Sequence, residues 1–172
     1  QRTDGYGGTL RNRARLLLEV VRAVVDTVGS GRVGIRLSPV TTANDVVDDN
    51  PQQLFDYVLH HLAELELAYI HVIEGATGGA RELPDRPFDY AALRAVYRRA
   101  GGGGAWMVNN GYTAELAQQA LEQGADLVAF GRPFISNPDL PQRLRTGAAL
   151  APADRTTFYG GDARGYTDYP AL

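Results

Sequence analysis

Four short apolar runs, each followed by a stretch with helical periodicity, repeat along this sequence and constrain its fold more than anything else in it. The runs occupy residues 33–39, 68–73, 106–109 and 127–130. Before the first of them, Leu16, Leu17, Val20, Val21, Val24, Val25 and Val28 recur at helical spacing, and Gly29 and Gly31 end that helix. After residue 50 the pattern returns. Asn50 offers an N-cap and Pro51 suits the first helical position, so a helix is expected over about 51–66. Further helices are expected near 89–99, from the Thr113 cap to Gly124, and over 139–146. The glycine run at 101–104 lies between a helix and a strand and reads as a loose connection, not a domain boundary.

Near-continuous apolar strands alternating with amphipathic helices predict an α/β fold with a parallel sheet covered by helices. Residues 1–172 read as one folding unit, with strand spacings that suit right-handed crossovers. Two architectures satisfy this pattern: an open doubly wound sheet, and part of an eight-stranded barrel. A doubly wound nucleotide fold places its glycine fingerprint after the first strand. Here the glycine turns follow the last two strands, where (β/α)8 barrels commonly bind phosphate. The pattern therefore predicts strands five to eight of a TIM barrel, the C-terminal half of a fold that typically takes about 250 residues. A chain that opens on Gln1 and keeps its single methionine at Met107 is expected to be a processed product or an excerpt, with an N-terminal half elsewhere.

Composition removes several chemistries. The chain has no cysteine, so thiol nucleophiles, disulfides and Cys-ligated metals are excluded within it. All 17 cationic residues are arginine, which excludes a Schiff-base or P-loop lysine. A net charge of −3 argues against general nucleic-acid binding. No apolar run approaches the ~18 residues of a membrane span, and no leader is visible, so a cytoplasmic location is expected.

Two late turns carry the clearest chemical signal. Residues 109–113 (NNGYT) and 131–134 (GRPF) each leave a strand and enter a helix, whose free N–H groups suit a phosphate. Gly111 and Gly131 permit close backbone approach, and Arg132 can supply a bidentate guanidinium. The competing reading is plain strand-end capping and a surface ion pair. Arg36 interrupts an apolar strand near its C-terminal end, where it needs either an anionic ligand or a structural carboxylate. Both pairs of readings stand at this level.

The segments RTDGYGG, NRARLLLEVV, GIRLSP, NNGYT, AFGRPFISNPDLP, FYGG and GYTDYP occur in this order over essentially the whole chain. Together they resemble the C-terminal half of the Old Yellow Enzyme family of FMN-dependent ene-reductases. The resemblance implies an FMN-bearing barrel, reduced by NAD(P)H, that passes hydride to a small activated alkene. It implies that Arg36 lies beside the flavin pyrimidine ring, where a fixed cation stabilises developing negative charge. Asn110, Gly111, Gly131 and Arg132 match positions around the FMN phosphate, Tyr112 the aromatic beside that loop, and Tyr159 an aromatic near the substrate. Many relatives read NGGYT where this chain reads NNGYT, so the Asn110 side chain is positioned to crowd the phosphate.

The family's substrate-gripping pair and protonating tyrosine lie upstream of the RTDGYGG segment, so no catalytic residue is assigned in this chain. The expected partner is a complementary N-terminal half-barrel or a second copy, because a half-barrel leaves two open strand edges. Two alternatives remain: a phosphate-binding isomerase or lyase barrel, and a non-catalytic half-barrel. No metal site is expected. His60 and His61 read as solvated or packed, His71 as a satisfied core histidine, and Asp45, Asp48 and Asp49 as a solvated acidic loop. Tyr166 and Tyr169 read as packing or lining residues.

Overall fold

In the computed structural model, residues 2–159 and 162–172 are described; Gln1 and the two glycines of the FYGG motif, Gly160 and Gly161, lie outside them. Helix α1 (Leu10–Val28) leads into strand β1 (Gly34–Leu37), followed by α2 (Pro51–Leu62), β2 (Tyr69–Ile73), α3 (Tyr90–Arg99) and β3 (Ala105–Asn109). Then come α4 (Ala114–Glu122), β4 (Leu127–Ala129), α5 (Arg132–Ser136) and α6 (Leu140–Thr146). The predicted caps form as read: Asn50 accepts from the backbone N–H of Gln53, and Thr113 from that of Leu116. Thr9 and Asp89 cap α1 and α3 in the same way.

The four strands pair in sequence order, β1-β2-β3-β4, and every pair is parallel. A doubly wound sheet reverses its order at a switch point, whereas a barrel adds each strand beside the last. The observed order is the barrel's. Ile70 and Val72 of β2 and Trp106 and Val108 of β3 point toward the helices. There they meet Val58, Leu59 and Leu62 of α2 and Leu93 and Tyr97 of α3 in one core. The alternate residues, among them Arg36, Tyr69, His71 and Met107, occupy the opposite face, which no helix among the described residues covers.

Two strands are shorter than their apolar runs suggest, because pairing stops at Leu37 and Ala129. The expected helix over 51–66 divides into α2 and a 3₁₀ turn at Ala63–Leu65, closed by Glu66 in the left-handed region. The glycine run at 101–104 is not loose. Arg98 donates to the carbonyls of Gly102 and Gly104 and to Asp126, and the Gly104 N–H donates to the buried Tyr97 hydroxyl. A Cβ at Gly102 would lie 2.4 Å from the Tyr97 ring, so glycine is required there for packing and not for slack.

Candidate functional site at the C-terminal ends of the strands

Parallel strands deliver their last residues to one end of the sheet, and the candidate residues collect there. Arg36 is exposed on β1, and its guanidinium donates to the Asn109 Oδ1 at the end of β3, at 3.1 Å. Asn109 in turn donates through Nδ2 to the Ala129 carbonyl at the end of β4, at 2.6 Å. One amide thus fixes the arginine and ties two strand ends together. Among the described residues no carboxylate pairs with Arg36, so the structural ion pair allowed by the sequence does not form and most of the guanidinium remains free.

Asn110 follows with φ +109°, a left-handed conformation that asparagine tolerates better than most residues. Its side chain turns away from the turn and donates to the carbonyls of Glu74 and Ala76, at 2.6 and 3.0 Å. The expected crowding therefore does not arise: the amide is spent on the loop between β2 and α3. Gly111 and Gly131 both face open space where a Cβ would stand. Arg132 donates to the Gly78 carbonyl in the same β2–α3 loop. Tyr112 donates its hydroxyl to Glu74 Oε2 at 2.7 Å, while the Arg81 guanidinium lies 4.9 Å from the Tyr112 ring centroid. Three of the six proposed cofactor residues, Asn110, Tyr112 and Arg132, are thus interlocked through one loop, while Arg36 is held separately by Asn109 at the end of β3.

Burial sets the protonation of this cluster. Desolvation pushes the Glu74 carboxyl up, with the Tyr112 hydroxyl and the Arg81 charge opposing it. Tyr112 is pushed well up, first by burial and then by its bond to Glu74, so it remains a donor. Tyr90 is also raised by burial, and its hydroxyl accepts the Gly75 N–H at 2.7 Å. A cleft of about 400 Å³ opens beside this cluster, with Val40, Arg81, Arg86, Phe88 and Tyr90 on its walls.

The helix ends contribute less than their sequence suggests. The α4 N-terminus carries its own Thr113 cap and an acidic Glu115 in the first turn, and α5 is five residues long. A short helix and a self-neutralised one offer little dipole to a ligand, so the free backbone of the two turns and the arginines carry any anion recognition. Tyr159 stands 93% exposed on the C-terminal tail, and among the described residues no side-chain hydrogen bond ties it to this site.

The sequence over residues 1–151 matches the family model described as the NADH:flavin oxidoreductase / NADH oxidase family. The chain belongs to that family. Within this NADH:flavin oxidoreductase family, 12-oxophytodienoate reductase 7 of Oryza sativa subsp. japonica is 44% identical over 188 residues, an alignment that takes in 99% of this chain and 46% of the relative. Among solved structures, morphinone reductase superposes with a TM-score of 0.86 at 44% identity, covering 100% of this chain and 45% of that one. The old yellow enzyme homologue from Zymomonas mobilis gives 0.91 at 40% identity, covering 100% and 47%. The chain spans about half the length of the curated relatives it matches, so this Old Yellow Enzyme family member presents part of a barrel.

Several residues of this family member's site lay outside the sequence reading. Asn109 was visible as the last residue of an apolar run and the first of the 109–113 turn, but without a role of its own, although an amide ending a barrel strand is itself a signal of function. Glu74 and Arg81 sit in a loop whose pattern revealed nothing of their meeting with Tyr112. His71, read as a satisfied core histidine, is neither in the core nor satisfied: its Nε2 is buried without a hydrogen-bond partner on the open face. Among the described residues no group of three or more His, Asp or Glu side chains is placed to hold a metal. No helix among them is long and apolar enough to cross a membrane.

Proposed function

We propose that this chain is the FMN-phosphate half of an NAD(P)H-dependent oxidoreductase that reduces electron-poor alkenes, with β1–β4 standing as strands five to eight of a (β/α)8 barrel. The observation that carries the reading is Arg36, an arginine without a carboxylate partner among the described residues, fixed by Asn109 on the open face of the sheet at its ligand-binding end. Family membership supplies the class of chemistry.

The residues fit a flavin mononucleotide. Gly111 and Gly131 leave room for a phosphate to approach the backbone. The Asn110 side chain is directed elsewhere, leaving its turn clear. Arg132 is exposed and held by one carbonyl, so further guanidinium N–H groups remain for an anion. Bound FMN would supply a two-electron carrier between a nicotinamide and an activated alkene. Arg36 would then stabilise negative charge on the bound ring, because its cation is fixed before the charge develops and needs no reorganisation. Asn109 holds Arg36 in place, and Tyr112 with Glu74 and Arg81 holds the loop that the phosphate turn leans on. Tyr159, exposed on the C-terminal tail, would on this reading line the substrate side of the flavin. The proton donor and the pair that grips the alkene's activating group belong, on this reading, to a complementary half-barrel. A cytoplasmic setting follows from the nicotinamide pools such a reaction draws on.

The test is co-expression of this chain with a segment supplying the first four strands of a family member. Co-purification of a yellow complex that NADH or NADPH bleaches, and that an electron-poor alkene reoxidises, is the expected result. Two halves folded together without flavin absorbance would refute the reading.

A further inference from the structure

The parallel register places His71 of β2 between Arg36 on β1 and Met107 on β3, on the face that no helix among the described residues covers. Its Nε2 is the one buried side-chain polar atom among the described residues that lacks a hydrogen-bond partner. Buried polar atoms are nearly always paired, so an unpaired one calls for a physical cause.

The cause lies on the neighbouring strand. Arg36 departs from β1 yet donates to Asn109 on β3, so its side chain crosses β2, and it leaves β1 at the level of His71. A cation laid beside an imidazole disfavours a second positive charge there. Burial acts in the same direction: desolvation first, and then the Arg36 charge, hold the His71 pKa below its ordinary value. Nothing on the face opposes this. The side chains sharing it are Tyr69 and Ile73 on β2, Ala105, Met107 and Asn109 on β3, Leu127 and Ala129 on β4, and Arg36 itself, the only one of them charged at neutral pH. Glu74, just beyond β2, is engaged by Tyr112 and Arg81.

We propose that His71 is a positioning residue for Arg36: the neutral imidazole lets the guanidinium lie across β2 against Asn109, and a proton on His71 drives it off that seat. The inference rests on the flavin reading for what Arg36 finally meets. The pairing itself is a property of this chain. Retention of a flavin or another ring with an electron-rich edge at Arg36 then depends on pH through a residue that need not touch the ligand.

Two measurements separate this inference from the flavin reading. In the first, the His71 ring is titrated by NMR in the full chain and in Arg36→Met, which keeps side-chain length and removes the charge, with His60 and His61 as internal references. The expected result is a low His71 midpoint that rises in the variant. Equal midpoints in the two proteins overturn the proposal. In the second, FMN affinity of the complex with the complementary half is followed by flavin fluorescence from pH 8 to pH 5. Protonation of His71 is expected to weaken binding by about tenfold, the scale of a like-charge contact near a protein surface, and His71→Gln is expected to flatten that dependence. A steep wild-type profile that persists unchanged in His71→Gln overturns the proposal. Absence of FMN binding at every pH refutes the flavin reading and leaves the NMR titration to decide the role of His71.

Discussion

Glu74 is the residue at which stability and site geometry meet. Its carboxyl is largely buried and raised in pKa by desolvation, so the folded chain binds its proton more tightly than the unfolded chain does. Stability therefore falls as the pH rises from below the ordinary glutamate value through the raised folded value. Glu74→Gln removes that penalty and leaves an oxygen to accept from the Tyr112 hydroxyl. The variant is expected to be more stable than wild type by roughly 1 kcal/mol at pH 7, the low end of what a desolvated polar group costs. The two proteins should converge near pH 4. Urea unfolding at the two pH values checks both the sign and the convergence. Tyr112→Phe acts the other way, leaving the buried carboxylate with Arg81 alone at 3.9 Å. It is expected to cost about 1–2 kcal/mol at pH 7 by the same measurement, as an orphaned buried acceptor does. Tyr112 was legible as the aromatic of a turn motif. Its partner was not, because 38 residues separate the two and only the β2–β3 register brings them together.

At the scale of elements, local signals were read well and their long-range ties were not. Caps are written within three residues of sequence, so Asn50 and Thr113 announced α2 and α4. The tail after α6 shows the opposite case. Buried Asn137 clasps the Ala151 backbone, and Arg143 reaches Asp139 and the carbonyls of Ala149 and Pro170, contacts that no periodicity encodes. The β2–α3 loop is built on the same kind of tie. Asn110 holds the carbonyls of Glu74 and Ala76, while Ala76 and Ala80 close the loop on themselves at 2.8 Å. Asn110→Gly accepts the left-handed backbone but loses both bonds, and Asn110→Ala loses them and adds backbone strain. The expected costs are about 1 and about 2–3 kcal/mol, respectively. Amide hydrogen exchange distinguishes this local role from general destabilisation. The N–H groups of Ala76 and Gly79 should exchange faster in Asn110→Gly, while those of Ile70 and Val72 in β2 keep their protection.

For the whole molecule, the decisive sequence fact was the order of strand and helix, and sequential parallel pairing carries it into three dimensions. What the order leaves open is how the sheet's bare face is covered. Arg36, Tyr69 and Leu127 stand on that face, and among the described residues β1 and β4 each keep an unpaired edge. Along the outside of α1, Leu16, Val20, Val24 and Val28 form a second uncovered stripe, with Leu16 60% and Val20 52% exposed. An apolar stripe of this length next to an open strand edge suits an adjoining βα unit better than water. On the proposed barrel placement, the α1 stripe and the β1 edge meet the last unit of the complementary half together. Leu16→Glu with Val20→Glu alters positions that contribute little to the chain's own core, so its Tm should move by less than about 4 °C, the shift that 1 kcal/mol produces in a domain of this size. The same double variant is expected to abolish co-purification with a tagged segment carrying the first four strands. An equivalent charge at the exposed tail position Leu150 should leave co-purification intact. Retained complex formation in the α1 double variant, with Tm unchanged, would place the complementary half elsewhere and remove the barrel-closing role from α1.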